Sequence, residues 1–143
     1  MSNSVAILNQ KGGVGKTTLT LGLASAAWAS RVRTLVVDLD AQANATWSLG
    51  VDPSVNNLGT GDALRADKAG AAADMIVPSG WSDDVWLLPA AGDLTERDSD
   101  TRVAASRRRL AKALKGVTDQ FDLVIIDCAP SLGLNTTNGL AAA

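Results

Sequence analysis

Four short runs of consecutive apolar residues punctuate the chain: Val5 to Leu8, Thr34 to Val37, Val85 to Leu88 and Leu123 to Ile126. A strand with one wet face alternates polar and apolar residues. An unbroken apolar run instead predicts a strand covered on both faces, as in a parallel sheet. Helical patterns separate these runs. A Leu- and Ala-rich stretch predicts a helix from about Thr17 to Ala29, with Arg31 and Arg33 at its exit, where basic residues suit the negative end of the dipole. Short helices are predicted around Gly61–Ala66 and Ala71–Ile76, followed by a turn at Pro78-Ser79-Gly80. The polar segment Asp93 to Asp100 predicts a loop ahead of a helix from about Thr101 to Lys115. That helix carries Val103, Leu110 and Leu114 on one stripe and Gly116 as its C-cap. The alternation predicts a single α/β domain over residues 1–143, with a mostly parallel sheet flanked by helices.

Composition narrows the chemistry. The 143 residues suffice for one domain with a real core, and 46% hydrophobic with 20% charged residues fits a globular protein. A net charge of −2 argues against a general polyanion binder. There is no histidine and one cysteine, Cys128. Histidine acid–base catalysis, a Cys/His zinc site and an internal disulfide are thereby excluded, and a reducing cytoplasm is the natural compartment. No apolar run approaches the ~20 residues of a membrane span, so no membrane partner is expected.

The first strand runs directly into Asn9-Gln10-Lys11-Gly12-Gly13-Val14-Gly15-Lys16-Thr17-Thr18, and a helix follows. Strand, glycine loop and helix N-terminus together make a polyphosphate site, with backbone N–H groups and the helix dipole aimed at the anion. Gly12, Gly13 and Gly15 let backbone approach phosphate closely. Lys16 is placed to bridge the β- and γ-phosphates, and Thr17 to offer its hydroxyl to Mg²⁺. Gln10 stands where the usual pattern has glycine, and Lys11 adds a second lysine that suggests a task beyond holding the nucleotide.

Two further strands end in acids. Val36-Val37-Asp38-Leu39-Asp40 puts two carboxylates at the sheet rim, on one face if the alternation continues, where they can coordinate Mg²⁺ through water or place an attacking water. A competing reading makes Asp38 a cap for the next helix. Leu123-Val124-Ile125-Ile126-Asp127 ends in a carboxylate suited to Mg²⁺ or its water.

Together with Leu88-Pro89-Ala90 and Ile126-Asp127-Cys128-Ala129-Pro130-Ser131-Leu132-Gly133, these motifs resemble the ParA/MinD family of deviant-Walker P-loop ATPases, its ParA (Soj-like) branch above all. The resemblance covers nearly the whole chain. It implies an ATP- and Mg²⁺-dependent ATPase that dimerises on ATP and acts in plasmid or chromosome partitioning. It implies slow hydrolysis stimulated by a ParB-like partner, with non-specific DNA as a further contact and a cytoplasmic, nucleoid-associated location. By it Lys11, Lys16 and Asp40 are catalytic. Lys11 reaches the partner subunit's ATP, and Asp40 positions the water. Residues Lys11, Gly12, Gly13, Val14, Gly15, Lys16, Thr17 and Thr18 bind the nucleotide, with Thr18 at the α-phosphate. Thr17, Asp40 and Asp127 serve the metal. Asp40-Ala41-Gln42-Ala43 departs from the family's Asp-Pro-Gln-Gly, and the chain ends where family members continue, which predicts an exposed sheet edge. The alternative is a non-catalytic nucleotide-binding or self-associating module derived from a truncated ParA-like protein.

Arg102, Arg107, Arg108, Arg109, Lys112 and Lys115 form a basic run with no intervening acid. Contact with nucleic-acid phosphates is one reading, and a solvated helix face is the favoured one. Cys128 reads as a small buried hydrophobe. Trp28 and Trp86 read as core residues, and Trp47 as a hydrophobic plug rather than a reporter of nucleotide binding.

Overall fold

The computed structural model describes residues 3–8, 15–54, 58–91, 108–129 and 134–143. The segments 9–14, 92–107 and 130–133 lie outside the described residues, and with them Lys11, Gly12, Gly13, Val14, Arg102, Val103 and Arg107.

All four predicted strands form: β1 (Asn3–Ile7), β2 (Thr34–Asp38), β4 (Val85–Leu88) and β5 (Leu123–Asp127). A two-residue strand, β3 (Val77–Pro78), adds to β4 in antiparallel fashion, so Pro78 ends a strand rather than opening the expected turn at Pro78-Ser79-Gly80. Proline lacks an N–H, so it is tolerated only in such an edge position. The sheet order is β1-β5-β2-β4-β3, and every pairing except β3 with β4 is parallel. Among the described residues β1 pairs with β5 alone, and Val5 in it is 40% exposed.

Side-chain alternation explains the unbroken apolar runs. Leu35, Val37, Val124, Ile126 and Leu88 project to one face and join Leu64 and Leu110. Val36, Ile125, Val85 and Leu87 project to the other and join Ala24 and Leu49. The first face is covered by α3 (Thr60–Ala66) and α4 (Arg109–Ala113), the second by α1 (Lys16–Ala29). Each fully buried Leu, Ile or Val contributes about 1.5–3 kcal/mol, so both faces are needed for the fold. Among the described residues the remaining helices are α2 (Asn44–Ser48) and α5 (Leu134–Ala142), with 3₁₀ turns at Ala71–Asp74 and Thr118–Gln120.

Helix α4 stops at Ala113, two residues before the sequence reading. The Lys115 N–H bonds back to the Lys112 carbonyl, which tightens the last turn before Gly116 takes φ +78°. Leu110 and Leu114 point inward and Arg108, Lys112 and Lys115 outward. Lys112 lies 3.4 Å from Asp67, and Arg108, Lys112 and Lys115 form a solvated face. Arg109 is instead half-buried and donates from Nη1 to the Leu64 carbonyl at 3.5 Å.

Two of the tryptophans, Trp28 and Trp47, depart from expectation. Trp28 is 41% exposed and pairs with Trp81, ring centroids 6.2 Å apart. Trp47 is 55% exposed and plugs nothing. Trp86 packs partly against the core and stacks on the Arg33 guanidinium.

Gly59 shows how closely α3 is joined to the end of β4. A Cβ there would overlap the Pro89 carbonyl oxygen and stand 2.7 Å from the Ala91 nitrogen. Backbone cannot yield as a flexible side chain can. Gly59→Ala is expected to destabilise the chain by about 1–3 kcal/mol, read as a lower urea midpoint at unchanged slope.

Candidate functional site

The site begins at the N-terminus of α1. Gly15, its N-cap, takes φ +82°, a left-handed conformation that favours glycine, and offers no side-chain oxygen to the helix. The first turn of α1 contains no acid. The positive pole of a helix favours an anion at such an N-terminus.

Parallel pairing brings the acids to the same rim. Asp38 and Asp127 are partners in register at the ends of β2 and β5, and β5 lies between β1 and β2. Lys16, the first residue of α1, puts its Nζ 2.9 Å from Asp127 Oδ1 and 3.7 Å from Asp40 Oδ2. Thr17 donates its hydroxyl to Asp127 Oδ2 at 3.0 Å. Asp127 is fully buried, and Lys16 and Asp40 are nearly so. Four of the expected site residues thus converge: Lys16, Thr17, Asp40 and Asp127. Gly15 abuts them, and Thr18 sits on the exposed side of α1.

The alternation expected to set Asp38 beside Asp40 ends with β2 at Asp38. Asp40 lies in the loop beyond, and the two carboxyls take different partners. Asp38 accepts N–H bonds from Asp40 at 3.0 Å and Thr46 at 2.9 Å, and the Thr46 hydroxyl at 2.7 Å. It caps α2 from a distance, which favours the capping reading of this acid. Burial pushes its carboxyl up to about 6, and the charge of Asp127 adds to this; the bonds from Thr46 and Asp40 pull the other way. Cys128 is buried as expected, and burial, aided by the Asp127 charge, pushes its thiol up to about 12. The thiolate needed for nucleophilic or redox chemistry does not form at neutral pH.

Among the described residues one ammonium faces two carboxylates, an excess of negative charge that a divalent cation would neutralise. The Thr17 hydroxyl and the Asp127 carboxylate, adjacent at the helix start, are the oxygen donors a hard cation such as Mg²⁺ takes. Among the described residues no three acids, cysteines or histidines cluster as a metal cage. Mg²⁺ characteristically takes one or two carboxylates and completes its shell with phosphate and water, so this sparse donor set suits it. Sequence reasoning missed Thr46. Nothing in the spacing from Asp38 to Thr46 announces their contact, since α2 had to fold back first.

The comparisons with known proteins agree with this geometry. A family described as AAA domain (AAA_31) matches residues 2–143. The chain is 40% identical over 141 residues to the chromosome partitioning protein ParA of Myxococcus xanthus, covering 97% of this chain and 48% of that protein. It is 38% identical over 145 residues to the sporulation initiation inhibitor protein Soj of Bacillus subtilis, covering 99% and 55%. A crystal structure of cobyrinic acid a,c-diamide synthase from Mycobacterium smegmatis, with bound ATP analogue and magnesium, superposes at a TM-score of 0.90 and 38% identity, over 100% of this chain and 57% of that one. The chain spans about half the length of these relatives. With the family match running over residues 2–143 and ParA and Soj among its relatives, the chain belongs to the AAA_31 family of AAA domains, within the ParA/MinD group of P-loop ATPases.

Proposed function

We propose that residues 1–143 form a P-loop nucleotide-binding domain that holds Mg·ATP and hydrolyses it slowly, as the engine of a ParA-type partition system. One observation carries this reading: the Lys16 ammonium and the Thr17 hydroxyl meet at the two oxygens of Asp127, at the uncapped N-terminus of a helix. The solved relative with bound ATP analogue and magnesium supports the ligand, and the ParA and Soj relatives support the biological setting.

In this reading the Lys11–Thr18 segment cradles the phosphates. Lys16 exchanges its bond to Asp127 for the β- and γ-phosphate oxygens, offsetting the charge that develops there. Thr17 and Asp127 hold the cation side of the site. Bound Mg²⁺ supplies charge neutralisation at the phosphate oxygens. Asp40, already fixed at the rim, orients the attacking water. Lys11 completes the partner subunit's site on dimerisation, which makes the dimer a switch set by the γ-phosphate. A ParB-like protein stimulates hydrolysis, and DNA is a further contact.

Calorimetric titration with Mg·ATP tests the loop. Wild type is expected to bind and Lys16→Ala to lose at least about tenfold in affinity, the removal of one charged phosphate contact; equal affinities overturn the assignment. Lys11→Ala is expected to keep its affinity and to lose ATP-dependent dimerisation in light scattering. An unchanged dimer overturns the cross-subunit role.

A further inference from the structure

Asp38 is the buried acid that the proposed chemistry leaves unused, yet its bonds lead straight to an acid that the chemistry needs. Oδ1 accepts the Asp40 N–H, and Oδ2 accepts both the N–H and the hydroxyl of Thr46. The Thr46 hydroxyl in turn accepts the Ala90 N–H at 2.9 Å. The Asp38 carbonyl accepts the Thr60 hydroxyl at 2.8 Å. Asp38, Thr46 and Thr60 are all fully buried. A dry relay therefore runs from Ala90, at the exit of β4, through Thr46 on α2 and the Asp38 carboxylate to the backbone of Asp40.

The far end of the relay is as well defined. The Gln42 N–H bonds to Asp40 Oδ1 at 3.0 Å and the Ala43 N–H to the Asp40 carbonyl at 2.8 Å. With its amide, carbonyl and one carboxylate oxygen held, Asp40 has only Oδ2 left to turn toward Lys16. Capping α2 requires one bond to the Thr46 N–H; it does not require the hydroxyl or the Ala90 amide. These additional bonds make the loop and the β4 exit a single unit.

We propose that Asp38 and Thr46 are positioning residues for Asp40, and that the relay sets the placement of its carboxyl at the nucleotide rim. The proposal rests on the reading of Asp40 as the acid that orients water. Phosphoryl transfer is sensitive to such placement, since a shift of about 1 Å costs on the order of a hundredfold in rate.

Thr46→Val keeps the side-chain shape and the N–H bond while removing the hydroxyl. Its kcat for ATP is expected to fall on the order of tenfold or more, with affinity for Mg·ATP held within about threefold because Lys16 and Thr17 are untouched. Thr46→Ser is expected to restore the rate. In an Asp40→Ala background Thr46→Val is expected to have no further effect, the mark of action through Asp40. An undiminished kcat, equal losses in both backgrounds or failure of serine to rescue overturns the proposal. Amide exchange in the nucleotide-free chain reads the relay without turnover: Thr46→Val is expected to speed exchange at Ala90 and Asp40 while sparing Ile125, and unchanged protection overturns it. A wild-type chain that turns over no ATP contradicts the ATPase reading, while the exchange result still decides the relay. If Thr46→Val does not fold, Asp38→Asn carries the same comparisons, because its amide cannot accept from both Asp40 and Thr46.

Discussion

The Lys16 ammonium sits between two buried carboxylates, 2.9 Å from Asp127 and 3.7 Å from Asp40, at the meeting of one helix start and two strand ends. Removing either partner from such a buried pair strands a charge in low dielectric, which is far costlier than losing a surface ion pair. The arrangement is therefore both a structural tie and a chemical store. It holds α1 against β5, and in the proposed function it keeps an ammonium where a phosphate would claim it.

Parallel pairing is what makes that meeting possible. Strands that run the same way end at the same rim, and β5 lies between β1, which feeds the loop, and β2, which ends in Asp38 and leads into the Asp40 loop. The layers on either side then fix the rim. Ala24 of α1 packs on the Ile125 face, while Leu64 of α3 and Leu110 of α4 pack on the opposite one. The Asp40 loop is tied by its own buried hydrogen bonds to α2 and to the exit of β4. Rigidity of the sheet is thereby extended to a loop that would otherwise be free to move.

The strands, the long helix and the convergence of Lys16, Thr17 and Asp127 were legible because local pattern carries them. Val36 and Ile125 had to be apolar on one face and Leu35 and Val124 on the other, and that leaves a continuous run in the sequence. A glycine loop between strand and helix announces its chemistry by spacing alone. What stayed hidden depends on contacts between distant segments. Thr46 meets Asp38 only after α2 folds back, and Asp38 parts from Asp40 because β2 ends one residue before Leu39. Trp28 and Trp47 were misread for a similar reason: an aromatic is buried only where another layer covers it, and among the described residues both stay largely open to solvent. The two residues of β3 were too few for periodicity to register.

In the proposed function Lys16 is a phosphate ligand held in reserve by Asp127. The most direct measurement is a crystal structure of this chain with magnesium and a non-hydrolysable ATP analogue. The account predicts the Lys16 Nζ displaced from Asp127 onto phosphate oxygens, with a magnesium ion between the Thr17 hydroxyl and the Asp127 side of the site. A nucleotide bound elsewhere, with Lys16 still paired to Asp127 as in the ligand-free chain, would contradict it.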